Sequence, residues 1–233
     1  MLGPVDYLVW FAGPAAQAAV VVCLLRKREF LRYISLSIYV LGTTLVTTID
    51  FFLLRRFGVQ SLEYTYFYYY SESLLTILLF LVIMQFYEQV FAELRAAIYI
   101  RRSAVALLVA TAAFSYLVVH ANKDHLTSRF VVALGQNLYF IGVVLTYILW
   151  GAVLKLRETR TRLIQLVLAL GVYFSATAAA YSLRNLFPGL QGSFLHWIPP
   201  LAGLWLPLAW AFTFVKVPET ARLATAQLMA RAR

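Results

Sequence analysis

Between positions 64 and 73 the chain reads Tyr-Thr-Tyr-Phe-Tyr-Tyr-Tyr-Ser-Glu-Ser. Glu72 is the one acid in an otherwise uncharged run from Tyr64 to Phe86. At about 1.5 Å of rise per residue it falls roughly 12 Å below the start of that run, inside the hydrocarbon zone of a bilayer. A carboxylate facing lipid there costs roughly 2.5 kcal/mol or more, so Glu72 is expected to face other helices. Thr65, Tyr69, Glu72 and Thr76 follow i, i+4, i+7, i+11 spacing and share one helical face. That stripe suits contact with a ligand, an ion or a proton. The plainer alternative is an interfacial aromatic belt over one hydrogen-bonded acid.

Other polar groups fall at a similar depth. Asp50 lies four residues before the end of its apolar run, and Gln136 and Asn137 lie six and seven residues into theirs. Tyr181 and Arg184 close another run, and His196 and Trp197 open the last. Glu72, Asp50, Tyr69, Asn137, Tyr181, Arg184 and His196 are therefore the candidate ligand or proton site. Their convergence predicts an outward-facing polar pocket between helices, a common location for ligands. The inner halves are mostly Leu, Val, Ile and Ala, as in Leu78 to Met84, and predict an apolar plug beneath it. Proximity to water alone also explains a polar Arg184 or His196.

The elements that must position these residues are membrane helices. Of 233 residues 62% are hydrophobic and only 13% charged, and mean hydropathy is +0.77. A soluble domain of this size does not hide so much apolar surface. A span needs about 20 apolar residues. Seven stretches qualify: Val5 to Leu25, Tyr33 to Leu54, Tyr64 to Phe86, Ser103 to His120, Phe130 to Leu154, Leu163 to Leu186 and Phe194 to Val215. The reading is all-α: a polytopic integral membrane protein, a seven-transmembrane-helix bundle over residues 1–217 with a short basic tail over 218–233. The loops are short, so consecutive helices are expected to be antiparallel neighbours.

The formal charge of +10 is distributed by topology. Fifteen of the 20 Lys and Arg residues follow spans one, three, five and seven: Arg26, Lys27, Arg28 and Arg32; Arg95, Arg101 and Arg102; Lys155, Arg157, Arg160 and Arg162; Lys216, Arg222, Arg231 and Arg233. Only Arg55, Arg56, Lys123, Arg129 and Arg184 fall on the other side. This bias places the N-terminus outside and the C-terminus in the cytoplasm of a plasma membrane, with the basic loops against anionic lipid. No nucleic-acid role is expected of them. Gln85, Glu88, Gln89 and Glu93 read as a solvated end of span three. From Pro218 the tail reads either as a short surface helix or as a frayed end.

The first apolar run lacks a preceding basic segment and is expected to be a retained span, not a cleaved signal. Cys23, the sole cysteine, excludes an intramolecular disulfide and reads as a buried thiol. Gly171, Ser175 and Ala179 form a small-residue stripe suited to close helix contact, and Pro207 is expected to kink span seven. No matching break in the two halves marks an inverted repeat.

No catalytic motif emerges. His120 and His125 lack a helix-borne His-Glu-x-x-His, and there is no Gly-x-Ser-x-Gly or Cys-x-x-Cys. Haem is disfavoured because all three histidines lie toward one surface. In helix number and orientation alone the chain resembles the microbial rhodopsins, whose Schiff-base lysine sits midway along the seventh helix. Leu201 to Trp210 holds no lysine, and Lys216 lies at the helix end, so retinal is disfavoured too. The leading expectation is a binding or sensory module acting through membrane or cytoplasmic partner proteins, or as a homo-oligomer. The alternatives are a small-solute or proton transporter using Glu72 and Asp50, and an assembly subunit of a larger membrane complex.

Overall fold

The computed structural model describes residues 4–58, 61–92, 97–120, 126–155, 160–187 and 197–221. Seven helices fill them: α1 (Pro4–Arg26), α2 (Ile34–Phe57), α3 (Leu62–Val90), α4 (Ala97–His120), α5 (Leu126–Lys155), α6 (Thr161–Leu186) and α7 (Ile198–Lys216). Five of them, α2, α3, α5, α6 and α7, are long and apolar enough to cross a membrane. Helix α4 starts ahead of the apolar run, so Arg101 and Arg102 belong to its first turns and not to a loop. Helix α7 continues through Pro207.

Local signals set the ends. Ser61 caps α3: its Oγ accepts from the Tyr64 N–H at 3.1 Å, and Glu63 complements the positive end of the helix. Helix α1 ends in a Schellman motif, with Glu29 N donating to Leu24 O at 3.0 Å and Arg28 N to Leu25 O at 3.1 Å. Its left-handed position, φ 55°, is held by Arg28 where glycine is usual. That turn delivers Glu29 into the interior.

Helices α1, α2, α3, α5, α6 and α7 form a closed ring, each packed against the next, and α4 lies outside it against α3 and α5. One end of the ring is filled by apolar side chains. Leu24, Leu36, Phe80, Ile83, Phe86, Leu166, Trp210 and Phe214 are all fully buried there. Two glycines let helices approach. A Cβ on Gly142 would stand 2.3 Å from the Phe174 ring, and one on Gly171 would stand 3.0 Å from the Thr146 methyl. The small-residue stripe thus only begins at a helix contact, because Ala179 is exposed.

The filled end also holds a polar lock that the charge pattern concealed. Arg162 is 3% exposed, pairs with Glu29 Oε2 at 2.5 Å, and donates to Val217 O from Nε at 2.9 Å and Nη2 at 2.7 Å. Its guanidinium lies 5.6 Å from the Phe214 ring centroid, and Tyr33 meets the same ring edge-on at 5.4 Å. Arg162 is therefore not a lipid-facing charge: its planar fork joins α6 to the α1–α2 turn and to the end of α7. Gln85, half-buried at the same end, ties α3 to the α1–α2 turn as well. It donates to Arg32 O at 2.8 Å and accepts from Ser35 N at 3.2 Å, while Arg160 donates to Gln89 O at 2.8 Å. Glu93 lies outside the described residues. Pro218 to Ala221 form a turn and not a helix. Arg32 pairs with Glu219 there, and Ala221 O accepts from Thr161 N at 3.3 Å. The rest of the tail lies outside the described residues.

Candidate functional site

Toward the opposite end the six-helix ring encloses a cavity of about 420 Å³. Its position follows from side-chain size. Phe, Trp and Leu fill the other end, whereas here α1 offers Gly13 and Pro14, α2 offers Thr43 and Thr47, and α7 offers Gly203. Nothing lies within 4 Å of a Cβ built on Gly13 or Gly203.

Glu72 and Asp50 both line this cavity, from α3 and α2. The Tyr139 hydroxyl, on α5, donates to Glu72 Oε1 at 2.6 Å and lies 3.2 Å from the Tyr173 hydroxyl of α6. The Tyr139 ring packs 5.5 Å from Tyr181 and 6.1 Å from Phe174. Asp50 Oδ1 is buried and has no hydrogen-bond partner among the described residues. No cation pairs with either carboxyl among those residues.

The hydroxyls around the cavity are turned toward their own helices. Thr43, Thr47, Thr76 and Thr177 donate to the carbonyls of Tyr39, Thr43, Glu72 and Tyr173 at 2.8, 2.8, 2.8 and 2.9 Å, and Ser71 donates to Tyr68 O at 3.1 Å. Each hydroxyl has one proton, so its oxygen presents only lone pairs to the cavity. On α1, Gln17 is buried at the wall, with its Oε1 3.0 Å from Thr44 Oγ1.

The candidates separate on this geometry. Glu72, Asp50 and Tyr181 line the cavity. Tyr69 does not: both tyrosines are partly exposed, but it is Tyr68 that lines the cavity with Glu72. The cavity face of α3 runs Tyr68, Ser71, Glu72, Leu75, Thr76, Leu79, a stripe turned from the one expected through Thr65 and Tyr69. Asn137 also misses the cavity and donates to Ser115 Oγ of α4 at 2.9 Å. Two residues turn a helix by about 200°, so Tyr139 facing the ring interior sends Asn137 outward. Arg184 is exposed at the end of α6 and does not line the cavity. His196 lies outside the described residues. Sequence reasoning missed Gln17, Tyr39, Tyr139 and Tyr173, whose types are ordinary in an apolar helix. Their signal was the pairing of uncharged polar groups across helices, which spacing along one helix does not reveal. No trio of His, Cys, Asp or Glu among the described residues is placed to hold a metal.

No protein-family model, curated protein or solved structure matches this chain.

Proposed function

We propose that the chain is a multi-pass plasma-membrane protein of seven spans, N-terminus outside and C-terminus cytoplasmic. In this reading it is a binding or sensory module with an outward-opening pocket that signals through partner proteins. The observation that carries the reading is the cavity: two carboxyls and five tyrosines from four different helices meet in one space with an apolar plug on one side. Polar groups buried at such depth are costly, and a merely structural bundle has no use for an unfilled polar space. The basic bias puts the plugged end at the cytoplasm and the cavity end outside. A cytoplasmic partner then meets the lock around Arg162, to which α1, α6 and α7 all report.

Thiol access tests this reading. In a Cys23→Ala background, Thr47→Cys and Thr177→Cys place single thiols on the cavity wall. A small impermeant thiol reagent is expected to reach them from outside only. Reaction from both sides would replace the binding module with a transporter. No reaction from either side would leave an assembly subunit with a sealed interior.

A further inference from the structure

We infer that the cavity takes a small organic cation, a protonated amine with an apolar body. This rests on reading the cavity as a binding site. Three independent features of the wall choose the ligand chemistry.

The first is charge. Asp50 and Glu72 stand on facing helices α2 and α3, and no Lys, Arg or His is among the described residues that line the cavity. An anion entering here meets two carboxyls and no cationic side chain among the described lining residues. The second is hydrogen-bond polarity. The Thr43, Thr47, Thr76, Thr177 and Ser71 protons are committed to backbone carbonyls and that of Tyr139 to Glu72, so these groups offer acceptors alone. Asp50 Oδ1 is a buried acceptor lacking a donor. An ammonium group carries three donors and no acceptor, the complement of these acceptors, while the Gln17 amide and the other tyrosine hydroxyls of the wall keep donors of their own.

The third is aromatic surface. Tyr39, Tyr68, Tyr139, Tyr173 and Tyr181 line the same space as the carboxyls, and ring faces attract cations. Size removes the bare metal ion. A cation such as calcium wants six to eight oxygens at about 2.3–2.6 Å, whereas this space of about 420 Å³ falls in the range of small-molecule pockets. The ammonium group belongs between Asp50 and Glu72, with the apolar body against Tyr68 and Tyr181.

The test uses the full chain in nanodiscs of zwitterionic lipid, titrated calorimetrically with 2-phenylethylammonium, 2-phenylethanol and phenylacetate. The three probes share a ring and differ in charge. Only the ammonium is expected to bind saturably, and Asp50→Asn and Glu72→Gln are each expected to weaken it by about tenfold or more. Gly203→Leu, whose side chain would enter open space, is expected to abolish binding while the protein stays folded. It keeps the test valid if a carboxyl variant fails to fold. Equal binding of the alcohol or the carboxylate overturns the cation, yet leaves a binding pocket. Silence from all three probes overturns the cation as well. If Thr47→Cys still reacts from outside, the pocket reading survives that silence; if it does not, both fall together.

Discussion

The Tyr139 hydroxyl donates to Glu72 Oε1 at 2.6 Å, joining α5 to α3 across the ring interior. A phenol, not a cation, thus holds the one acid in α3's apolar stretch. A neutral donor satisfies one carboxyl oxygen and brings no positive charge to Glu72. Removing the donor is the direct probe. Tyr139→Phe keeps the ring packing against Tyr181 and Phe174 and deletes one hydrogen bond. It is expected to cost about 1–3 kcal/mol, because the carboxyl oxygen is left buried and unpaired. Adding Glu72→Leu to Tyr139→Phe should cost less than the two single changes together, as contacting residues do. Thermal midpoints of the four proteins in one detergent check this, and strict additivity would show the bond to be energetically idle.

The lock at the other end makes a second, sharper forecast. Arg162 and Glu29 are both withdrawn from water, and the Val217 carbonyl depends on the same guanidinium. Breaking a buried pair from one side strands a charge, at about 3–5 kcal/mol, whereas removing both charges is often near neutral. Glu29→Gln and Arg162→Met are therefore each expected to lower the thermal midpoint strongly. The double variant should recover much of the loss. By contrast Arg32→Ala, at the exposed pair with Glu219, should change stability by no more than about 1 kcal/mol.

How much of this was readable beforehand depends on what each feature needs. Apolar length is a property of one segment at a time, so the helices and the depth of Glu72 along α3 were legible. Helix rotation is a property of pairs. Tyr68 and Tyr69 have identical chemistry, and only packing on α2 and α5 decides which one faces inward. Asn137 was lost the same way, because Tyr139 claims the interior two residues later. Arg162 was hidden by its company: it sits among Lys155, Arg157 and Arg160, and only the left-handed turn at Arg28 brings Glu29 within its reach.

That turn can itself be tested. A non-glycine residue in the left-handed region costs roughly 1–2 kcal/mol, and Arg28 is exposed. Arg28→Gly is expected to leave the fold intact and to be neutral or stabilising by about 1 kcal/mol. Arg28→Val is expected to destabilise, since a β-branched residue tolerates positive φ worst. A large loss of stability in Arg28→Gly would mean that the side chain, not the backbone turn, holds this corner.

Close approach gives a prediction that distinguishes two glycines of equal sequence prominence. At Gly142 a Cβ would collide with the ring of Phe174, which is only 1% exposed and has no room to retreat. At Gly171 it would press only on one Thr146 methyl, beside an open groove. Gly142→Ala is expected to cost about 1–3 kcal/mol through overpacking, and Gly171→Ala less than half as much. Melting curves in detergent decide it. If the two variants melt alike, α5 and α6 slide to relieve the clash, and the ring is softer than its packing implies.

Orientation closes the chain of inference from charge to function. Arg162 binds both Glu29 and Val217, so the α1–α2 turn, the start of α6 and the end of α7 share one end of the ring. Arg26, Lys27, Arg28, Arg32, Lys155, Arg160 and Lys216 lie at or beside that end, while Arg55 and Arg56 close α2 at the other. On the proposed orientation, which follows the positive-inside rule, the plug faces the cytoplasm. Both Thr220 and Arg56 are exposed. In the Cys23→Ala background, Arg56→Cys is expected to react with an impermeant maleimide on intact cells, and Thr220→Cys only after the membrane is opened. The reverse pattern would turn the cavity toward the cytoplasm. Its organic cation would then be a cytoplasmic metabolite, and the partner surface around Arg162 would lie outside the cell.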